Sequence, residues 1–470
     1  MKHYDVAIIG SGPGGYVAAI RLAQLGKKVA IIEKEKIGGV CLNIGCIPSK
    51  AMIHAAEVYN SVLTAPAFGI EYKALKLNPA KLQKWKNDVV KRLTSGIATL
   101  LTVHKVDVIS GTATFANNRE LIVENKKEKI GISFDNAIIA TGSSPAPLKG
   151  FECDGKLIGN STHGLLYNKI PKKLCVIGGG YIGLEIGSLY ATFGSQVTIL
   201  EATENLLVGT EEELVSVVVK NLEKKKMTLL LKTEARECKK QKEKVQVTFK
   251  TAKEIKKDTF DKILVAVGRI PNTLELGLEK IGIKCDRKGF IRVNNRQETD
   301  ALGIYAIGDC AGGMLLAHKA SREGIIAAAN IAGNDEIFDP WGIPAVIFTN
   351  PEIAYVGRSV QEAEGSGYTV KVVRFPFQAS GRALATGHPE GFVKLVVDSK
   401  TDLILGIFIV GHEASSLIGE ACLAIEMGAT AEDIARTIHP HPTLTETLVE
   451  AAEAVHNKAI HIFQRYYENK

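Results

Sequence analysis

Apolar residues recur along this chain with two periods. Tyr4-Asp-Val-Ala-Ile-Ile9 is a run of strand type, a helical pattern follows over Tyr16–Leu25 and stops at Gly26, and a second run, Lys28–Ile32, ends at Glu33. The same order returns later. Leu174–Ile177 reads as a strand, Tyr181–Phe193 as a helix stopped by Gly194, and Val197–Leu200 as a strand ending in Glu201. Between them the pattern predicts a helix through Met52, Ala55 and Val58. A longer helix opens at Asn78-Pro79, a cap followed by proline at the first position. Leu82, Trp85, Val89, Leu93, Ile97 and Leu100 recur in three- and four-residue steps on it and read as one packing stripe. Short strands are expected near Val106–Ile109, Thr112–Phe115 and Glu120–Val123, and Ala137–Ala140 leads to Thr141-Gly142. From Pro344 the pattern changes. Val346–Phe348, Ile353–Val356, Thr369–Phe375, Phe392–Val397 and Ile404–Val410 read as strands with no helices between them, hence an antiparallel sheet. Two helices, Ser415–Met427 and Leu444–His461, close the chain.

Length and composition agree with this picture. At 470 residues the chain is too long for one core, so two to four domains are expected. Abundant glycine (45 residues) and few aromatics suit an α/β protein with many strand-to-helix turns. The net charge of +7 is mild and sits largely in lysine runs near Lys220–Lys226, Lys239–Lys244 and Lys253–Lys257. These read first as a solvated face. A docking surface for an acidic partner stays open, and with no accompanying motif no nucleic-acid partner is expected. No apolar run reaches ~18 residues, so no membrane span is expected. The first strand is read from residue 4, so no signal or transit peptide is expected. Of eight cysteines, six (Cys153, Cys175, Cys238, Cys285, Cys310, Cys422) are scattered, as reduced thiols of a cytoplasmic protein would be.

The two repeated strand–helix–strand stretches carry chemistry. Gly10, Gly12 and Gly15 lie in G-x-G-x-x-G spacing after the first strand, and Glu33 ends the second. Glycines at this turn let the backbone approach a pyrophosphate at a helix N-terminus, and the acidic residue can accept from a ribose. Gly178, Gly180, Gly183 and Glu201 repeat the arrangement. Two fingerprints predict two dinucleotides, FAD and a nicotinamide nucleotide. Glu201 would repel a 2′-phosphate, and the nearest downstream arginine is Arg236, so NAD is expected in preference to NADP.

The stretch Gly38–Lys50 holds Cys41 and Cys46. Cα atoms five residues apart in a regular helix stand ~7.5 Å apart along the axis, while a disulfide needs them within roughly 7 Å. If the two pair, the backbone between them departs from regular helix, which Gly45 eases. Pro48 suits the first turn of a following helix, whose electropositive start favours a thiolate at Cys46. A structural disulfide, half of a zinc site and two unpaired buried thiols compete with a redox pair at this point. Near the other end, His439-Pro-His441-Pro-Thr-Leu-Thr-Glu446 places a titratable ring five residues before a carboxylate. That pairing suits proton transfer, against a His-x-His metal site or plain surface histidines. Asp309, after Gly303-Ile-Tyr-Ala-Ile-Gly, could accept from sugar-alcohol hydroxyls or cap the helix that follows.

Gly38–Lys50 resembles the active-site segment of the flavin-dependent disulfide reductases, the class I pyridine nucleotide-disulfide oxidoreductases, and the resemblance extends over essentially the whole chain. The His-x-His-Pro form is similar to the lipoamide branch. The resemblance implies two Rossmann-like domains, for FAD and NAD, and a C-terminal α+β dimerisation domain with an antiparallel sheet. Residues 1–147 with 271–343 would bind FAD, 148–270 NAD, and 344–470 would form the interface. It implies a Cys41–Cys46 redox disulfide, with Cys41 attacked by lipoamide and Cys46 next to the flavin. His441 would be the acid–base and Glu446 its orienting carboxylate, with Lys50 and Glu185 a pair beside the flavin. Thr141, Gly142, Asp309 and Ala317, in Ala317-His318-Lys319-Ala320, would lie along FAD. Gly268 and Arg269 would lie along NAD, with Tyr181 as a gate. The activity implied is oxidation of dihydrolipoamide on lipoyl domains of a partner, with NAD as acceptor, by a homodimer needing no metal. The glutathione branch reads differently after the second cysteine and carries arginines for NADP; mercuric and larger thioredoxin reductases need C-terminal redox residues, whereas the last cysteine here is Cys422. A non-catalytic subunit would have no use for the cysteines and the histidine–glutamate pair. Val40 departs from the threonine common in the family.

Overall fold

A computed structural model of the protein describes residues 1–464. The chain forms two compact units, Met1–Ile170 with Lys262–Asp339, and Pro171–Asp261 with Pro340–Lys470.

The first unit is built on strand β1 (Lys2–Ile9), helix α1 (Pro13–Gln24) and strand β2 (Val29–Glu33). β1 pairs in parallel with β2 on one side and with Lys129–Ile139 on the other. The sheet runs Asp107–Ser110, β2, β1, Lys129–Ile139, Glu120–Glu124, Thr112–Asn117, and Ile304–Ala306 joins the second half of Lys129–Ile139 in parallel. Both faces of β1 are buried. Val6 and Ile8 join the cluster under α1 with Leu22 and Leu101, whereas Ala7 and Ile9 join Phe115, Phe134 and Ile304 on the other face. A strand covered on both sides reads as a continuous apolar run, which is why Val6–Ile9 shows no alternation. The helix Ala317–Ile331 lies along α1, and a Cβ on Gly324 would come 2.6 Å from the Gly14 carbonyl, so the two backbones meet directly.

Two short helices carry the cysteine stretch, α2 (Gly39–Ile44) and α3 (Cys46–Thr64). The long helix α4 (Pro79–Val103) follows, capped as expected by the Asn78 side chain, which accepts the Lys81 N–H at 3.1 Å. The expected packing stripe on α4 is corrected. Trp85, Leu93 and Leu100 are exposed at 43, 41 and 45%, and the buried residues are Leu82, Gln83, Lys86 and Leu101. The surface facing the first part of α4 is polar backbone, so Lys86 Nζ reaches the Leu165 carbonyl at 2.9 Å and Gln83 Oε1 at 2.6 Å.

In the second unit, Lys173–Ile177, Gln196–Leu200 and Thr228–Leu230 pair in parallel, with the helix Tyr181–Thr192 after the first of them. Glu234–Gln241, Lys244–Lys250 and Ile255–Phe260 form an antiparallel three-stranded sheet that carries much of the lysine excess. The C-terminal sheet is antiparallel and five-stranded, in the order Ala345–Ile347, Glu352–Gly357, Ile404–Gly411, Phe392–Asp398, Val370–Pro376. Its connections are not free of helix as expected: Val360–Gly365 and Gly381–Ala385 are short helices, the former closed by a Ser359/Glu362 capping box. The closing helices are Ala414–Glu426, Ala431–Arg436 and Glu446–Val455, the last six residues shorter than expected at its C-terminal end. No helix among the described residues is long and apolar enough to cross a membrane.

Candidate active site

The two glycine fingerprints have one geometry. Gly10 takes φ +103° and Gly178 φ +110°, where a side chain is strained. A Cβ on Gly15 would stand 2.0 Å from the Gly10 carbonyl oxygen, and one on Gly183 2.1 Å from that of Gly178, so these glycines are required by helix-to-strand packing. Gly12 and Gly180 differ. Each precedes the first residue of its helix with extended backbone, no side chain caps that helix end, and a Cβ there would meet nothing within 4 Å. The fold itself does not need glycine at these two positions. A diphosphate drawn close to the bare helix N-terminus does, so both loops fit a dinucleotide.

The acidic partners are held alike. Glu33 Oε2 accepts the Ser11 N–H at 3.0 Å and the Ser11 hydroxyl at 2.6 Å, and Oε1 accepts the Glu35 N–H at 2.8 Å. Glu201 Oε2 accepts the Gly179 N–H at 2.6 Å, and Oε1 accepts the Thr203 N–H and hydroxyl, each at 2.8 Å. Both carboxylates are thereby fixed beside their loops, with lone pairs remaining for a ribose. Ser11 also accepts the Gly38 N–H, through its carbonyl at 3.0 Å and its hydroxyl at 3.3 Å.

The cysteine stretch rests on the first fingerprint. A Cβ on Gly39 would lie 2.7 Å from Gly12 Cα. Cys41 lies within α2, regular helix breaks at Gly45 (φ −129°, ψ −112°), and Cys46 opens α3 with Pro48 in its first turn. The two sulfurs meet as thiols. The hydrogen bond with Cys46, then burial and the charge of Cys46, push the Cys41 thiol far above its ordinary range, against the opposing charge of Lys50. Cys41 is thereby held as a thiol, and the electropositive start of α3, where Cys46 sits, favours a negative charge there. Tyr16 feels the Cys41 charge, although burial is the main cause that raises its hydroxyl.

Thr141, Gly142, Gly268, Arg269 and Asp309 meet at one crossing of the first unit. Arg269–Pro271 pairs antiparallel with Ser143–Pro145. Gly268 (φ +118°) accepts the Ala146 N–H at 2.9 Å, and Gly142 takes φ +70°. The Arg269 Nε donates to Ser143 Oγ at 2.7 Å, and Nη2 donates to the Ser143 carbonyl at 2.6 Å. The Ser143 hydroxyl donates to Asp309 Oδ2, which stands 3.9 Å from Arg269 Nε. Arg269 thus faces Asp309 in the unit of the first fingerprint. Asn272 binds the same crossing: its Nδ2 donates to the Thr141 carbonyl at 2.9 Å, and its own carbonyl accepts the Thr141 hydroxyl at 2.7 Å. Asp309 does not cap the following helix. It lies inside the 3-10 turn Gly308–Ala311, and the helix begins only at Ala317, which is half-buried. Ser11, Ser143 and Asn272 were not among the residues expected from sequence. Their partners on other elements lie 22 to 166 positions away, and no local spacing announces them.

In the second unit, Glu185 is buried on the helix Tyr181–Thr192 and accepts the Phe348 N–H at 3.0 Å. Tyr181, the first residue of that helix, is 40% exposed. Lys50 belongs to α3 of the first unit. His441 Nδ1 stands 2.8 Å from Glu446 Oε1, and Glu446 Oε2 accepts the Thr443 N–H at 2.9 Å. Burial raises the Glu446 carboxyl, but the Thr443 N–H and His441 outweigh it and hold it below its ordinary value. The ring of His441 is exposed, so its second nitrogen is open to a substrate. Its neighbour His439 is turned inward, against Glu420 at 2.7 Å and the Thr437 carbonyl at 2.8 Å. The two rings thus have separate carboxylate partners. Among the described residues the one grouping of three metal-ligating side chains is His3, Asp5 and Asp135, on β1 and its neighbour Lys129–Ile139, with Asp5 half-buried and the other two exposed, far in sequence from His439 and His441.

Comparisons with known proteins agree with this chemistry. Residues 4–324 match the family model described as pyridine nucleotide-disulphide oxidoreductase, and residues 343–452 match that family's dimerisation domain. The chain is 50% identical over 468 residues to a dihydrolipoyl dehydrogenase of Thermus scotoductus, covering 99% of this chain and 100% of that protein. It is 46% identical over 461 residues to one of Geobacillus stearothermophilus, covering 98% of each. Among solved structures it resembles LpdA from Mycobacterium tuberculosis, with a TM-score of 0.90 at 26% identity over 97% of this chain and 100% of that one. It also resembles the HOCl-induced flavoprotein disulfide reductase RclA from Escherichia coli in its Cu(II) complex, with a TM-score of 0.86 at 28% identity over 97% and 100%. With two fingerprints of one geometry, a thiol pair seated on the first of them, and both family models matched in order, the chain belongs to the pyridine nucleotide-disulphide oxidoreductase family.

Proposed function

We propose that this chain is a dihydrolipoyl dehydrogenase that oxidises protein-bound dihydrolipoamide to lipoamide, with FAD at the first fingerprint and NAD at the second. The observation that carries the chemistry is the contact of Gly39 with Gly12, which sets the Cys41/Cys46 pair against the first nucleotide loop. The substrate class is supported by the near full-length likeness to two dihydrolipoyl dehydrogenases.

In the oxidised enzyme Cys41 and Cys46 form a disulfide. His441, held at Nδ1 by Glu446, takes the proton of one dihydrolipoamide thiol on Nε2. The resulting thiolate attacks Cys41 Sγ, the Cys41–Cys46 bond breaks, and Cys46 leaves as a thiolate. The second lipoamide thiol then attacks the substrate sulfur of the mixed disulfide, closing the lipoamide ring and breaking the bond to Cys41; its proton passes to the released Cys41 sulfur, while the first proton stays on His441. Two electrons now rest on the cysteine pair, with the proton on Cys41 and the charge on Cys46. Bound FAD and NAD supply the two-electron path from this dithiol to the nicotinamide ring.

We assign residues 1–147 with 271–343 to FAD, 148–270 to NAD and 344–470 to the interface; the last six of these lie outside the described residues. The working form is a homodimer in which His441 and Glu446 of one subunit serve the thiols of the other. The lipoyl group comes from a partner protein of a 2-oxo acid dehydrogenase complex or of a glycine-cleavage system, in the cytoplasm.

An anaerobic assay of the purified protein tests the reading. Dihydrolipoamide is expected to reduce NAD rapidly, with NADP a poor substitute. Turnover of glutathione disulfide with NADPH in its place would reject it.

A further inference from the structure

The turn that carries Asp309 is gripped from behind by a buried ion pair. Lys319 and Glu323 lie one helical turn apart on Ala317–Ile331, with side chains only 7 and 4% exposed, and bond to each other. Each has a second partner on the backbone. Glu323 Oε2 accepts the Gly308 N–H at 2.7 Å, immediately before Asp309. Lys319 Nζ donates to the Gly312 carbonyl at 3.0 Å, where the turn ends. The pair therefore spans the segment Gly308–Gly312 and holds both of its ends. Its helix is itself seated on the fingerprint helix α1, through the approach of Gly324 to the Gly14 carbonyl. From the front, the Asp309 carboxylate accepts the Ser143 hydroxyl.

A buried ion pair of this kind is poorly explained by stability alone. Two apolar residues of similar volume would do as well or better, because both charges lose their water. What an apolar pair cannot do is bind a backbone N–H and a backbone carbonyl at once. Burial raises the Glu323 carboxyl, and nearby Asp309 adds to the rise, so Lys319 also keeps two neighbouring carboxyl groups from competing for charge.

We propose that Lys319 and Glu323 are positioning residues for the flavin site: together they fix the Gly308–Gly312 turn so that Asp309 meets the ribityl hydroxyls of FAD. This rests on the assignment of FAD to the first fingerprint. Neither residue touches the reacting atoms, and both act through Asp309.

The test is FAD binding to the flavin-free, full-length protein, read by flavin fluorescence, for wild type, Lys319→Met, Glu323→Gln and the double variant. Lys319→Met leaves a buried carboxylate without its partner, and is expected to weaken FAD binding by about tenfold or more. The double variant carries no unpaired charge, and its glutamine still offers an oxygen to the Gly308 N–H. It is expected to bind FAD more tightly than Lys319→Met, a rescue that simple damage to packing would not produce. Wild-type affinity in Lys319→Met, or a double variant weaker than both single variants, overturns the proposal. Should Lys319→Met fail to fold, Glu323→Gln decides. Weakened FAD binding with an unchanged far-ultraviolet dichroism spectrum supports the clamp, and unchanged binding overturns it. A wild-type protein that binds no FAD at all removes the FAD assignment together with the clamp.

Discussion

Gly39 and Gly12 meet backbone to backbone: a methyl group on Gly39 would lie 2.7 Å from Gly12 Cα. The segment that carries the thiols and the loop that would carry a diphosphate are therefore one construction. A change at either glycine reaches both functions. Gly39 also has φ +57°, so a side chain there would be strained as well as crowded.

The fingerprint glycines separate folding from binding. Gly12→Ala puts a methyl group into open space on extended backbone, so stability should fall by no more than about 1 kcal/mol, the effect of a poorer helix cap. FAD should be lost all the same. Gly180→Ala should in the same way spare the fold and raise the KM for NAD. Gly15→Ala drives a methyl to 2.0 Å from a carbonyl oxygen and should give little folded protein. Thermal melts with flavin content and NAD kinetics check all three. A Gly12→Ala protein that keeps its FAD would remove the diphosphate from that loop.

Glu201 accepts from Gly179 and from Thr203 and still has lone pairs to offer. Glu201→Gln keeps the shape and loses the charge. Charge-assisted hydrogen bonds contribute about 1.5–3 kcal/mol, so the KM for NAD should rise about tenfold or more, with kcat little changed. The preference for NAD over NADP should narrow, because the repulsion of a 2′-phosphate is gone. Steady-state kinetics with both nucleotides decide it. An unchanged preference would show that Glu201 does not meet the ribose.

These functions were legible because their signals are local. The glycine spacing, the acid at the end of the next strand, the two cysteines and the His441/Glu446 spacing each lie within about thirty residues of one another in sequence. What sequence concealed was made by tertiary contact. The apolar stripe on α4 is real as a pattern, yet Trp85, Leu93 and Leu100 stay exposed while Lys86 and Gln83 go inward. Periodicity identifies an apolar face, but it does not reveal that the surface waiting for Lys86 is a bare carbonyl of Leu165. Arg269 was expected along NAD by resemblance. The partner it has in this structure, Ser143, is 126 positions away. The clamp at Lys319 and Glu323 did leave a trace, an oppositely charged pair one turn apart on the helix Ala317–Ile331.

The cysteine pair makes a prediction about protons. The hydrogen bond with Cys46 is the largest cause that raises the Cys41 thiol, ahead of burial. Cys46→Ser removes the thiolate that accepts from Cys41. In the reduced, flavin-free variant, Cys41 should ionise at a distinctly lower pH than in the wild type. It should stay above the range of an exposed thiol, because burial persists. Ultraviolet thiolate absorbance against pH measures this. Cys41 ionising at the same pH in both proteins would place the cause in burial alone. Either cysteine variant should lose lipoamide turnover by several orders of magnitude, since the disulfide cannot form.

His441 and Glu446 should separate in kinetics. His441→Gln removes the proton acceptor and should lower turnover with dihydrolipoamide by about 10²–10⁴-fold. Glu446→Gln leaves the ring but loses the carboxylate that orients it, so a smaller fall is expected, about tenfold or more. Exchange of electrons between NADH and the enzyme-bound flavin should be untouched in both. If His441→Gln slowed that half-reaction equally, the histidine would be structural.

The last prediction concerns stability at mildly acid pH. The rings of His388 and His412 stack with centroids 4.0 Å apart. Burial, then the charge of His388, lower the pKa of His412 from its usual 6.5; Glu413 pulls the other way, and Arg382 adds a smaller lowering. Above pH 6.5 the ring is neutral in both folded and unfolded chains and contributes no pH dependence. As pH falls below that value the unfolded chain takes up a proton that the folded one resists, so stability is lost progressively toward the lower folded pKa. His412→Gln removes this linkage. Its unfolding midpoint should be less sensitive to pH between about 7 and 5 than that of the wild type, when urea unfolding is followed at each pH. Equal slopes in the two proteins would mean that His412 accepts its proton as readily in the fold as out of it, and that the stacked pair carries no charge penalty.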